Sequence, residues 1–136
     1  ELDGYDQVQS EVGYGEEKSR IDLLLSRADE RCYVEIKCVT LHMGGGLGLF
    51  PDAVSARGTK HLRELAAMRQ QGHRAVLLFC VQNTAIDRVA AAAEIDALYA
   101  QTLAQVMAVG VEGLVYGTNI STQGITLESP LPFLAG

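Results

Sequence analysis

Apolar residues in this chain come in short runs separated by glycines, prolines and charged clusters, and their period changes from run to run. Residues Gln7 to Tyr14 alternate weakly and predict an edge strand, with Gly13 and Gly15 marking a bulge or turn. Ser19 to Ser26 carries Ile21, Leu23, Leu24 and Leu25 and predicts a strand, and Cys32 to Leu41 predicts its hairpin partner across the polar loop Arg27 to Arg31. Leu62, Leu65, Ala66 and Met68 then recur at helical spacing, which predicts an amphipathic helix over Ser55 to Gln71 stopped by Gly72. From Ala75 to Val81 every residue is apolar, the pattern of a central strand buried on both faces.

Farther along, Asp96 is placed to cap a second helix whose buried stripe would be Leu98, Tyr99, Thr102, Leu103, Val106 and Met107, ending at Gly110. The alanines Ala90 to Ala93 fit either a helix or a packed loop. Val111 to Ile120 predicts a further strand, and Gly124 to Leu127 a short closing one before a proline-containing tail. Strands alternating with helices imply an α/β layer with crossover connections. The stretch Gly44 to Gly48 leads into Phe50-Pro51-Asp52 and is expected as a mobile loop beside any site; it lacks the spacing of nucleotide-binding glycine loops.

On the strand Cys32 to Leu41, Glu35 and Lys37 fall on one face while Val34, Ile36 and Cys38 fall on the other, so charge and apolar surface are expected on opposite sides. Asp22 lies on the neighbouring strand. Two carboxylates, Asp22 and Glu35, with the backbone carbonyl of Ile36, make a partial shell for Mg2+, which takes hard oxygen ligands and leaves room for phosphate oxygens. Lys37 would orient or help deprotonate an attacking water, and the substrate to consider first is a phosphodiester. Spacing alone fits an ordinary exposed ion pair at least as well. Glu11 is a further carboxylate that could join the shell or simply be solvated, and Asp52 could cap the following helix or face the metal.

At 136 residues and 48% hydrophobic content the chain has the size of one domain with a core. The odd set Cys32, Cys38 and Cys80, with no C-x-x-C pair, predicts buried thiols rather than disulfides and fits a reducing cytoplasm. No apolar run approaches the length of a membrane span, and no membrane partner is expected. The net charge of −6 opposes binding nucleic acid through bulk electrostatics. The segment from Val54 to Arg74 departs from that balance, with Arg57, Lys60, Arg63, Arg69 and Arg74 against Glu64 alone. Arg57, Lys60 and His61 occupy the first turns of the predicted helix, where the helix dipole and basic side chains both favour a phosphate; a solvated helix face is the plainer alternative.

The blocks Ser19-Arg20-Ile21-Asp22, Glu35-Ile36-Lys37 with Val39-Thr40-Leu41, Phe50-Pro51-Asp52-Ala53-Val54, Arg57-Gly58, Lys60-His61-Leu62-Arg63-Glu64-Leu65 and Gly72-His73-Arg74-Ala75-Val76 resemble, in order, the sugar fermentation stimulation protein A family. Glu94-Ile95-Asp96, Tyr99 and Gly110-Val111 extend the resemblance past the second helix. It departs from the expected pattern at Cys38, where Ser is expected, and in the glycine-rich Gly44 to Gly48. The resemblance implies a restriction-endonuclease-like PD-(D/E)xK fold, a mixed α/β sheet flanked by helices over residues 1–136. It also implies an N-terminal OB-like domain of the family that precedes this region and is absent from this chain. It matches Asp22 and Glu35 to the family's acids and Lys37 to its motif lysine, and implies DNA as partner, Mg2+ or Mn2+ as cofactor and endonuclease activity, with Glu11, Arg57, Lys60 and His61 as weaker carry-overs. A non-catalytic DNA-binding regulator of sugar-metabolism genes is the alternative, and the oligomeric state, a homo-oligomer included, stays open.

Overall fold

The computed structural model describes residues 5, 7–14, 19–42, 44–51, 53–54, 56–81, 85–121 and 124–134. Asp52 and Ser55, and the side chain of Glu11, lie outside the described residues. The main sheet takes β1 (Gln7–Tyr14), β2 (Ser19–Arg27), β3 (Glu30–Val39), β6 (Arg74–Val81), β8 (Glu112–Ser121) and β9 (Gly124–Leu131), in that spatial order. Between them run β4 (Leu41–His42), β5 (Leu47–Phe50), α1 (Ala56–Gln70), β7 (Arg88–Ala91) and α2 (Ala97–Ala108), and β10 (Phe133–Leu134) closes the chain. β3, β6 and β8 are parallel neighbours, and β1, β2 and β9 extend the sheet antiparallel on either side.

That order explains where the helices lie. The chain steps from β3 through α1 to β6 and through α2 to β8, always in the same direction across the sheet, and right-handed crossovers then place both helices on one face. Leu62, Leu65 and Met68 of α1 and Tyr99, Leu103 and Val106 of α2 share one core with Tyr33, Val39, Leu77 and Phe79 of the sheet. The opposite face gathers Leu25, Cys32, Val34, Val76, Leu78 and Cys80, with Ile36, Leu114 and Tyr116 half-buried around them. β6 contributes to both clusters, as its unbroken apolar run requires.

The helix boundaries have local causes. Asp96 accepts a 3.0 Å bond from the Tyr99 amide and caps α2. Gly72 and Gly110 end the two helices at φ of 92° and 110°, where a side chain would be strained. Within α2, Leu98 proves exposed, because it sits on the outer side of the first turn while Tyr99 faces in.

Several features differ from the sequence expectation. Gly44 to Gly48 is the turn and beginning of a hairpin, in which β5 pairs with β4 and with β7 and so founds a second sheet of order β10-β7-β5-β4. The turn is tied down by bonds from the Asp87 amide to the Gly46 carbonyl and from Arg88 to the Gly45 carbonyl. A Cβ at Gly48 would lie 2.9 Å from Ile86 and 3.0 Å from Val39, so the glycine permits close packing of the two sheets. The alanine segment supplies β7: small side chains allow it to run beneath α2, and their weak periodicity hid it. Cys38 is exposed, whereas Cys32 and Cys80 are buried and all three are free: the pairing of β2 with β3 stops at Val34, so Cys38 lacks a neighbour on that side, while its partner Cys80 lies between β3 and β8.

Phe79 carries the contact between the sheets: it is fully buried, stacked on Phe133 at 5.3 Å and tilted against Phe50 at 5.6 Å. Phe79→Ala is expected to cost about 3–5 kcal/mol in urea unfolding, from lost burial plus a residual cavity. Val54→Ala, at a residue 76% exposed, is expected to change stability by less than about 0.5 kcal/mol. Similar costs for the two would contradict this placement of the core.

Candidate metal centre

The pairing of β2 with β3 runs from Arg27↔Glu30 to Leu23↔Val34. At the next position the side chain of Asp22 takes over: its Oδ2 accepts a 2.7 Å bond from the Ile36 amide. Asp22 thereby links the two strands beside Glu35, which precedes Ile36 in β3.

Alternation along β3 places Tyr33, Glu35, Lys37 and Val39 on the helix-covered face. The alternation itself holds, with Val34, Ile36 and Cys38 on the other face, but the face of the charged pair is the one on the main core, and Ile36 and Cys38 are the less covered positions. The reason is the crossover of α1, which the alternation within β3 could not reveal. Glu35 is 4% exposed. Lys37 Nζ lies 3.7 Å and His61 Nδ1 3.8 Å from the same carboxylate oxygen, Oε1. The other oxygen, Oε2, is buried and has no hydrogen-bond partner among the described residues, and His61 Nδ1 also has none.

A carboxylate so placed resists ionisation. Burial first, then hydrogen bonding with Asp22, raise the Glu35 pKa from 4.5 to about 8, against the opposing pull of Lys37. His61 is held below the ordinary imidazole range, by burial first and then by the positive charges of Lys37 and Arg57. The Glu35 shift describes a pocket that disfavours a carboxylate's charge until more positive charge arrives near the acids. A divalent cation meets that need, and Asp22 with the bare Glu35 Oε2 offers it oxygen ligands. Among the described residues no three His, Cys, Asp or Glu side chains are grouped to hold a metal, so backbone, water or substrate oxygens would have to complete a shell.

Arg57 is exposed on the first turn of α1, Lys60 is half-buried one turn on, and His61 is buried toward β3. The first turn of α1 holds no acidic residue. Lys37, Arg57 and Lys60 all act on His61, so three cations from two elements lie near this imidazole. Tyr99 escaped the site prediction. Its fully buried hydroxyl has no partner among the described residues, and burial, then the negative charges of Glu35 and Asp96, push its pKa up. The helical stripe foretold its burial but not its nearness to Glu35. A cavity of about 640 Å3 lies elsewhere, at the opposite end of the parallel strands, lined by Arg27, Arg31, Arg69, Arg74, Glu30 and Glu112 among others. Two ion pairs line it, Arg74 with Glu112 and Arg27 with Glu30, and it is separate from the Glu35 pocket.

Residues 1–124 match the family model described as the sugar fermentation stimulation protein RE domain. The chain belongs to the sugar fermentation stimulation protein family. It is 56% identical over 131 residues to the homologue from Saccharophagus degradans, covering 96% of this chain and 56% of that protein. It is 57% identical over 132 residues to the homologue from Teredinibacter turnerae, covering 97% and 56%. The chain thus spans just over half the length of these relatives. Among solved structures, Pyrococcus furiosus SfsA in complex with Ca2+ superimposes with a TM-score of 0.80 at 27% identity, over 93% of this chain and 54% of that one. The fold is a restriction-endonuclease-like α/β arrangement around a mixed sheet. No helix among the described residues is long and apolar enough to cross a membrane.

The shifted Glu35 gives the centre a pH dependence in the absence of metal. Between about pH 4.5 and about pH 8 the folded chain keeps a proton that the unfolded chain has lost, so stability falls as pH rises through that window. In chelator, Glu35→Gln, which cannot ionise, is expected to show a smaller fall in urea midpoint than the parent between about pH 5 and about pH 9. Equal falls in the two proteins would contradict the shift.

Proposed function

We propose that this chain is the divalent-metal-dependent nuclease domain of a DNA-acting protein, hydrolysing phosphodiester bonds at the Asp22–Glu35–Lys37 centre. The observation that carries the reading is a buried carboxylate, Glu35, with one oxygen left bare beside Asp22 and a lysine on the same strand face. Mg2+ or Mn2+ would be held by Asp22, Glu35 and the Ile36 carbonyl and would supply Lewis-acid neutralisation of the scissile phosphate. The Ca2+ in the Pyrococcus relative is in keeping with a hard-cation centre in this family.

The chain's own residues divide the remaining work. Lys37, with its side chain only 18% exposed, would orient the attacking water by donating from Nζ to its oxygen, or as a free amine would help to take its proton. Arg57 and Lys60 grip the backbone phosphates at the amino end of α1, where the helix dipole adds to their charge. His61 belongs to the same basic turn but faces inward. The net charge of −6 limits what this region can hold alone, and an OB-like domain in the rest of the family's length would supply further DNA affinity.

Incubating this chain, and a family member of full length, with plasmid and branched DNA in Mg2+ or Mn2+ tests the reading. Cleavage is expected to stop with chelator, and Asp22→Asn and Lys37→Ala are each expected to slow it by about 10²-fold or more. Metal-independent cutting, or Lys37→Ala cutting as fast as the parent, would contradict it. Sequence-selective binding without any cleavage, unchanged by Asp22→Asn, would instead establish a non-catalytic regulator.

A further inference from the structure

Resting on the cation-centre reading, we infer that His61 is a positioning residue for Glu35: its Nδ1 and the Lys37 Nζ converge on Oε1, fix the carboxylate plane and leave Oε2 to the divalent cation. The geometry divides the two oxygens. Nδ1 at 3.8 Å and Nζ at 3.7 Å approach one of them, from α1 and from β3, while the other is buried and without a partner. Neither separation is a hydrogen bond, and donors around a reactive centre commonly tighten only when it is loaded. His61 is 6% exposed and its Nδ1 has no competing partner among the described residues, so the contact available to it is the one with Glu35.

The placement has a structural logic. Asp22 is already oriented by the Ile36 amide at 2.7 Å. Glu35 has no comparable backbone anchor among the described contacts, so beside its hydrogen bonding with Asp22 the orientation of its long side chain depends on the donors that face Oε1. Groups that orient a metal-binding side chain typically change metal affinity by about 10–100-fold when removed. This gives His61 a role different from that of Arg57 and Lys60, which are more open to solvent.

Calorimetric titration of the folded chain with Mn2+ and with Ca2+ tests the role without requiring cleavage. His61→Ala is expected to weaken both ions by about 10–100-fold. His61→Asn, whose amide nitrogen falls near the Nδ1 position, is expected to recover most of that loss, and His61→Gln, whose amide nitrogen falls near Nε2, to recover little. Circular dichroism confirms that each variant is folded. Parent-like binding by His61→Ala, or equal weakening in the Ala and Asn variants, would overturn the positioning role. A loss confined to Mn2+ would also overturn it, since imidazole ligation favours the softer ion and a positioned carboxylate serves both. Failure of the parent to take up either ion would overturn the cation-centre reading as well, and so is distinguishable from failure of the His61 role alone.

Discussion

The burial of Glu35 beneath α1 is the constraint around which the rest of the site is arranged. A carboxylate taken out of water without a full set of partners is costly, and the fold retains one on the core side of its sheet. The surroundings lessen the cost only in part. Lys37 and His61 approach one oxygen, Asp22 crowds the same pocket with a second acid, and the other oxygen remains bare. Such an arrangement is difficult to explain as scaffolding, because a buried apolar residue at the same position would be less costly. It makes physical sense if positive charge arrives from outside the chain.

The topology creates that pocket. Two same-sense crossovers stack α1 and α2 on one face, so alternate residues of β3 are drawn into the core whether apolar or charged. Asp22 stands where the β2–β3 pairing gives way to a side-chain bond, and α1 begins nearby with basic residues and no acid in its first turn. Glycine at position 48 and the aromatic cluster of Phe50, Phe79 and Phe133 join the second sheet to this same side. Stability and site therefore share one core. Changes in that core are expected to reach the carboxylates through the position of α1.

Strong local patterns made much of this legible in the sequence. The continuous apolar run of β6, the hairpin of β2 and β3, the Asp96 cap and the glycine stops each depend on neighbours in the chain, and each lies near where the pattern put it. The small sheet was not legible. Its strands are two to four residues long, too short for a period to emerge, and β7 is written largely in alanine. For the candidate site, strand spacing and family resemblance pointed to Asp22, Glu35 and Lys37. That Glu35 is buried, that His61 turns inward to it and that Tyr99 lies within its field are consequences of helix packing across the sheet, which one strand's alternation does not encode.

The central claim is that the Asp22–Glu35 pocket is a divalent cation site. Anomalous diffraction from crystals of this chain soaked in Mn2+ addresses it most directly. The account predicts a single strong peak in contact with an Asp22 carboxylate oxygen and Glu35 Oε2, lost in crystals of Glu35→Gln. No peak there, or one that persists in the Gln variant, would contradict it.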